Sequence, residues 1–237
     1  MNFLNENKIS IIPDDWQMHF YSALEESTES IVVKKSREIG MSTVLKNYMR
    51  NHPEKSFLFV SSGMEDKLPN VDHRRYRGSV AGKAYDEIIF DEASFFNLEK
   101  ILPEYLPSLK ANGKSVIIST VNSQNDYFWK LTLNNSYKQL VYHWSLCPRL
   151  NPKYEEGGLD YSIVDNYKKN ISNENFLTSF EMIPNSSTLN LDVTISFRLT
   201  KKQESELKEA IKLESLKGGR MLTKSEYIIS KILPEYP

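Results

Sequence analysis

Between residues 30 and 145, short apolar runs alternate with segments of helical spacing. That alternation restricts the fold more than any other feature of the 237-residue chain. "SIVVKK" is a β-branched run. "STVLKNYMRN" follows, with Val44, Leu45 and Met49 on one helical side. "SFLFVSS", "DEIIFDEA" and "SVIIST" are further strand candidates, and "KQLVYHWSL" is a fifth. "NLEKILPEYLPSLKANG" reads as a Pro-interrupted helix closed by Gly113. Strands that alternate with helices join through crossovers. The expected class is therefore α/β, a mostly parallel sheet flanked by helices. Ligands of such sheets sit beyond the carboxyl ends of the strands.

Composition narrows the setting. The chain is 40% hydrophobic, enough for one sizeable core, and its net charge of -1 excludes a globally basic nucleic-acid binder. Any DNA contact must come from a local patch. Cys147 stands alone, so an internal disulfide is excluded and a reducing compartment is expected. The start, "MNFLNENKISII", lacks the apolar stretch of a secretory signal, and no run approaches a membrane span. A soluble, intracellular protein is expected. His19, His52, His73 and His143 lack ligand spacing, which argues against a structural metal site.

The stretch "VVKKSREIGMST", Val32 to Thr43, has the outline of a phosphate-binding loop without its usual lysine. The standard form is G-x-x-x-x-G-K-[ST]. Here Met41 follows Gly40, and Lys35 occupies the first position, where glycine is normal. A lysine there can fold its stem back and bring its ammonium to the same phosphates, with Arg37 as a second cation. The loop's nucleotide contacts would come from Lys35, Ser36, Arg37, Glu38, Ile39, Gly40, Met41, Ser42 and Thr43. Ser42 sits where a magnesium-binding hydroxyl is needed. Taken alone, the stretch is equally a strand–turn–helix with solvated basic residues. "GSVAGK", Gly78 to Lys83, has one residue too few between its glycines and reads as a connecting loop.

A second motif favours the functional reading. "DEIIFDEAS" is an apolar strand ending in Asp91-Glu92. A strand-terminal Asp suits Mg²⁺, and the adjacent Glu suits activation of the attacking water. Asp86-Glu87 lies at the wrong end of the same run. "SVIIST" ends in Ser119-Thr120, whose hydroxyls are candidate γ-phosphate sensors. Upstream, Gln17 lies on an amphipathic segment, and its amide can pair with the donor and acceptor edge of adenine.

In order and spacing, "WQ…VVKKSREIGMST…DEIIFDEASFF…SVIISTVNSQNDYFWKL" resembles the ATPase domain of phage terminase large subunits, the DNA-packaging motors. The resemblance covers residues 10 to 182. It implies a P-loop NTPase fold, with ATP and Mg²⁺ as cofactors. Gln17 would read adenine, Lys35 and Arg37 would serve catalysis, Ser42 and Asp91 would hold the metal, and Glu92 would activate water. Ser119 and Thr120 would form the coupling motif, although Val121 replaces its usual proline. The implied activity is ATP hydrolysis that packages or translocates double-stranded viral DNA. The implied setting is the host cell cytoplasm, with a viral portal or capsid as partner and no membrane. The segment "SGMEDKLPNVDHRRYRG" is shorter than its family counterpart. "HRRYR" within it is either a solvated basic loop or a contact to DNA phosphates or a neighbouring subunit's nucleotide. About fifty residues follow the ATPase region. They are too few for an RNase H-like nuclease and lack its spaced acidic residues, so DNA cleavage is not expected.

The polar stretch 183–190 reads as a linker between residues 1–182 and residues 191–237. In the latter, "VTISFRL" alternates strictly, Thr200 suits an N-cap, and Gly218-Gly219 separates two helical patterns. One strand and two helices cannot bury their own core, so pairing with a second copy is expected. The pattern resembles a ribbon-helix-helix unit. That resemblance implies dimerisation through the ribbon, DNA reading by Thr194, Ser196 and Arg198, and a phosphate clamp at Thr223, Lys224 and Ser225. The alternative for this segment is an add-on that packs against the ATPase domain. The alternative for the whole chain is an ATP-switched DNA-binding regulator or partition-type protein with little motor activity.

Overall fold

A computed structural model describes residues 3–4, 10–61, 68–75, 80 and 82–185. The chain divides into two units, Met1–Asn190 and Leu191–Pro237, and all described residues belong to the first. The ribbon-helix-helix reading, with Thr194, Ser196, Arg198, Thr223, Lys224 and Ser225, lies outside the described residues.

The sheet has six strands, all parallel: β1 (Ile31–Lys35), β2 (Phe57–Val60), β3 (Val71–Arg74), β4 (Tyr85–Asp91), β5 (Leu109–Ser119) and β6 (Lys138–Tyr142). Their order is β3-β2-β4-β5-β1-β6. Helices α1 (Asp15–Glu26) and α2 (Met41–Asn51) precede and follow β1. The others are α3 (Leu98–Tyr105), α4 (Tyr127–Thr132), α5 (Ser162–Lys168) and α6 (Asn173–Ser179). Because helices cover both faces, the central strands are apolar throughout rather than alternating. In β1, Ile31 and Val33 join one core with Phe20, Leu24, Val44 and Tyr48. Val32 joins the other with Phe90, Leu102, Ile117 and Phe128. Helix α2 buries Val44, Leu45, Tyr48 and Met49, at about 1.5–3 kcal/mol for each large side chain. Among the described residues, no helix is long and apolar enough to cross a membrane.

Two expectations are corrected. The sheet contains a strand that the sequence pattern did not announce. Val71–Arg74, including His73 and Arg74 of "HRRYR", pairs with β2 at the sheet's edge. It is held by polar contacts rather than burial: Asp72 accepts from Lys83 Nζ at 2.8 Å and from Tyr85 Oη at 2.7 Å. Gly113 does not close a helix. Helix α3 ends at Tyr105, a 3₁₀ turn spans Leu106–Ser108, and Gly113 lies within β5. There the β4–β5 register jumps from Tyr85↔Leu109 to Glu87↔Lys114. A Cβ at Gly113 would stand 2.9 Å from the Asp86 carbonyl oxygen, so the glycine serves a close backbone approach at a bulge.

The register positions the site. Ile118 of β5 pairs with Val33 on one side and Asp91 on the other. Lys35 thus emerges two residues beyond the level of Asp91, at the same carboxyl edge of the sheet.

Candidate nucleotide-binding site

The loop between β1 and α2 curls because two of its residues adopt left-handed backbone, Glu38 (φ 62°) and Gly40 (φ 87°). For Glu38 that conformation costs about 1–2 kcal/mol, and strain of this kind gathers at ligand sites. Gly40 is the N-cap of α2, and no side chain caps that end. The loop faces a cleft of about 690 Å³. Lys35 and residues 37–43 form its floor, and Ile11, Ile12, Asp14, Gln17, Glu92 and Arg149 form its walls.

Ser42 Oγ donates to Asp91 Oδ2 at 3.1 Å. Asp91 Oδ1 accepts the Glu92 backbone N–H at 3.0 Å. Burial pushes the Asp91 carboxyl above its usual pKa, opposed by the charge of Lys35 and the bond from Ser42. Asp91 is therefore a desolvated carboxylate beside a cation and a hydroxyl. Glu92 follows in left-handed backbone (φ 59°), which swings its exposed side chain to the cleft. Gln17 enters from α1. Its Oε1 accepts the Asp14 N–H at 2.9 Å, which fixes the orientation of the amide. Its Nε2 then lies 3.5 Å from where a Cβ on Gly40 would be.

Most of the sequence-predicted residues meet here: Gln17, Lys35, Arg37, Glu38, Gly40, Ser42, Thr43 and Glu92 line the cleft, and Asp91 is bonded to Ser42. Met41 and Ile39 also line it but are turned into the core, 2% and 1% exposed. The residue that replaces the usual lysine thus serves packing.

Besides Asp91, three predicted residues of this site lie outside the cleft lining. Ser36 is fully buried. Its Oγ donates to the Phe180 carbonyl at 2.6 Å and accepts the Trp144 N–H at 2.9 Å, and its own N–H donates to the Tyr142 carbonyl. The Ser36 hydroxyl anchors the loop and is not a cleft ligand. Ser119 Oγ bonds Ser94 Oγ at 2.7 Å and accepts the Ser94 N–H at 3.0 Å. Ser119 thereby ties the end of β5 to the turn that carries Glu92. Thr120, the other proposed sensor, is buried beside it and is not part of the cleft wall. The Arg37 backbone N–H donates to the Ser179 carbonyl, while its exposed guanidinium stays 3.7 Å from Glu38.

Sequence reasoning passed over Arg149. Its Nη2 lies 3.4 Å from the Glu38 carbonyl oxygen and 3.0 Å from a Cβ placed on Gly40. "CPRLNP" has no motif to announce it.

The donor set at Ser42 and Asp91 is all oxygen. Among the described residues no group of three or more His, Cys, Asp or Glu could hold a metal by itself. That pairing fits Mg²⁺, which takes one or two protein oxygens and completes its shell with phosphates and water.

By sequence, no protein-family model matches the chain, and neither does any curated protein. By fold, it is similar to phage large terminases. The large terminase from the thermophilic bacteriophage D6E superposes with a TM-score of 0.55 at 10% identity, over 72% of this chain and 52% of that one. The same terminase in complex with ADP gives 0.53 at 10% identity, over 72% and 53%. The ATPase domain of the Thermus phage P74-26 large terminase, in a mutant form, gives 0.51 at 12% identity, over 72% and 94%. The chain thus spans about half the length of the D6E terminase and most of the P74-26 ATPase domain. In fold, the described residues are similar to phage large terminase ATPase domains, with a parallel six-stranded sheet flanked by helices.

Proposed function

We propose that this protein is a terminase-like ATPase that couples ATP hydrolysis to movement of double-stranded viral DNA. The observation that carries the reading is the Ser42–Asp91 pair at the edge of a cleft that also holds Lys35, Glu92 and Gln17. The D6E terminase, similar in fold, has structures in complex with ADP and with ATP-γ-S.

In this reading Gln17 meets the adenine edge. The backbone of residues 38–42 and the Lys35 ammonium take the phosphates, and Arg37 adds a second charge at the rim. Ser42 and Asp91 would hold Mg²⁺, which would supply charge neutralisation for the phosphates. Glu92 accepts the proton of the attacking water as its oxygen bonds the γ-phosphorus and the β–γ bridging bond breaks. The Ser94–Ser119 bonds transmit a change at Glu92 to β5 and the segment beyond it.

Residues 191–237 act, in the same reading, as a ribbon-helix-helix unit that dimerises the chain and contacts DNA through Thr194, Ser196 and Arg198. Arg198→Ala then weakens DNA binding by about 1–3 kcal/mol if it contacts a base. Such a chain works in the host cytoplasm as a dimer or a ring, with a portal or capsid as docking partner.

The test is the ATPase rate with and without double-stranded DNA, read together with the oligomer mass. Stimulation by DNA in an oligomer supports a motor. Binding of ATP with negligible turnover, unaffected by DNA, would instead make this an ATP-switched DNA-binding regulator.

A further inference from the structure

Lys35 and Arg37 belong to the loop motif, but Arg149 reaches the same cleft from the segment after β6, the strand beside β1. Its backbone is set by a tight turn after β6, in which the Leu150 and Asn151 N–H groups both donate to the Cys147 carbonyl, at 2.9 and 2.8 Å. Cys147 and Leu150 are buried on either side, so the turn is fixed while the Arg149 side chain stays exposed. The guanidinium does not approach the Ser42–Asp91 end through any bond. It lies against the Glu38 carbonyl, and its Nη2 and the Gln17 Nε2 both come within 3.5 Å of the same point above Gly40.

The cleft wall has a second unusual residue. Ile12 is 94% exposed, although neighbouring Ile11 packs against the core. An isoleucine so exposed at the mouth of a polar cleft has apolar area to cover. A flat apolar ligand part there would meet Ile12, a planar cation and an oriented amide. Guanidinium planes stack on aromatic faces, whereas an ammonium offers only a point charge. A purine base has such a face and matches that set.

We infer that Arg149 is a base-binding residue: its guanidinium covers one face of the adenine of a bound nucleotide, Ile12 covers the other, and Gln17 meets the edge. The inference rests on the nucleotide reading above and names the part of the site that selects the base.

The experiment is calorimetric titration of the full-length protein with Mg-ATP-γ-S and with inorganic tripolyphosphate. The variants are Arg149→Ala, Arg149→Lys and Ile12→Ala. Both Arg149 variants should weaken ATP-γ-S binding about tenfold, as loss of one base-stacking partner does. Ile12→Ala should weaken it several-fold, and tripolyphosphate should bind all variants like the wild type. Circular dichroism of each variant checks the fold, which two exposed positions should leave intact. Recovery of ATP-γ-S affinity in Arg149→Lys, or a parallel loss of tripolyphosphate, would make Arg149 a phosphate ligand and overturn the inference. Unchanged ATP-γ-S binding in Arg149→Ala would overturn it while leaving the nucleotide site standing. A wild-type protein that binds no ATP-γ-S would instead remove the nucleotide reading itself.

Discussion

Ser42 Oγ and Asp91 Oδ2 meet at 3.1 Å, joining the first turn of α2 to the end of β4 across 49 positions of sequence. The relationship exists because β5, which pairs with both β1 and β4, sets Val33 and Asp91 at one level. The loop after β1 must then pass in front of β4's carboxyl end. The electrostatics follow from the same placement, since Asp91 is desolvated by the sheet around it and compensated by Lys35 and Ser42.

The first prediction concerns the cation. Lys35→Ala should lower the ATPase rate at least about a hundredfold, the order expected when a preorganised charge aimed at the transition state is removed. Met41→Leu keeps the volume of a residue only 2% exposed, and should cost less than about 1.5 kcal/mol of stability while leaving turnover near wild type. Steady-state phosphate release checks both. Full activity in Lys35→Ala would move the essential charge to Arg37.

Asp91→Asn should raise the melting temperature while abolishing Mg-dependent hydrolysis. Burial raises the Asp91 pKa, so the folded state holds its proton more tightly than the unfolded chain. The ionised group therefore costs stability at pH values above its folded pKa, and that cost disappears on acidification. A neutral amide removes that cost at neutral pH. A lower melting temperature would show that Lys35 and Ser42 compensate the charge fully.

Much of the cleft was legible because its loop residues and the Asp91-Glu92 pair are tied to local patterns. Lys35 to Ser42 follows a β-branched strand, and Asp91-Glu92 ends an apolar one. What escaped was decided by contacts distant in sequence. Val71–Arg74 carries no apolar alternation, since an edge strand is held by its neighbour's backbone and by Asp72. Gly113 looks like a helix stop until the Asp86 carbonyl is found against it. Ser36 is indistinguishable in sequence from a loop ligand, and Phe180 and Trp144 alone reveal that it faces inward. Arg149 enters the cleft from a turn more than a hundred residues away. Burial of one apolar side on α2, by contrast, followed directly from its spacing.

Asp126 supplies a pH prediction. It caps α4 by accepting the Phe128 N–H at 2.9 Å through Oδ1, while its buried Oδ2 has no hydrogen-bond partner. Desolvation by burial pushes its pKa up to about 6. The folded value exceeds the unfolded one, so the contribution of this group to stability falls as pH rises from about 4 to about 6. Asp126→Asn keeps the capping oxygen and should flatten that part of the profile. Thermal melts at closely spaced pH values test it, and an unchanged slope would assign the dependence to another group.

The most direct test of the account is the turnover of Glu92→Gln beside wild type, with ATP binding measured on the same samples. Glutamine keeps the size of the side chain but cannot take the proton of the attacking water. The account predicts wild-type hydrolysis, at least about a hundredfold less in the variant, and ATP affinity retained in both. A wild-type protein without hydrolysis, or a Glu92→Gln variant that turns over like wild type, would contradict it.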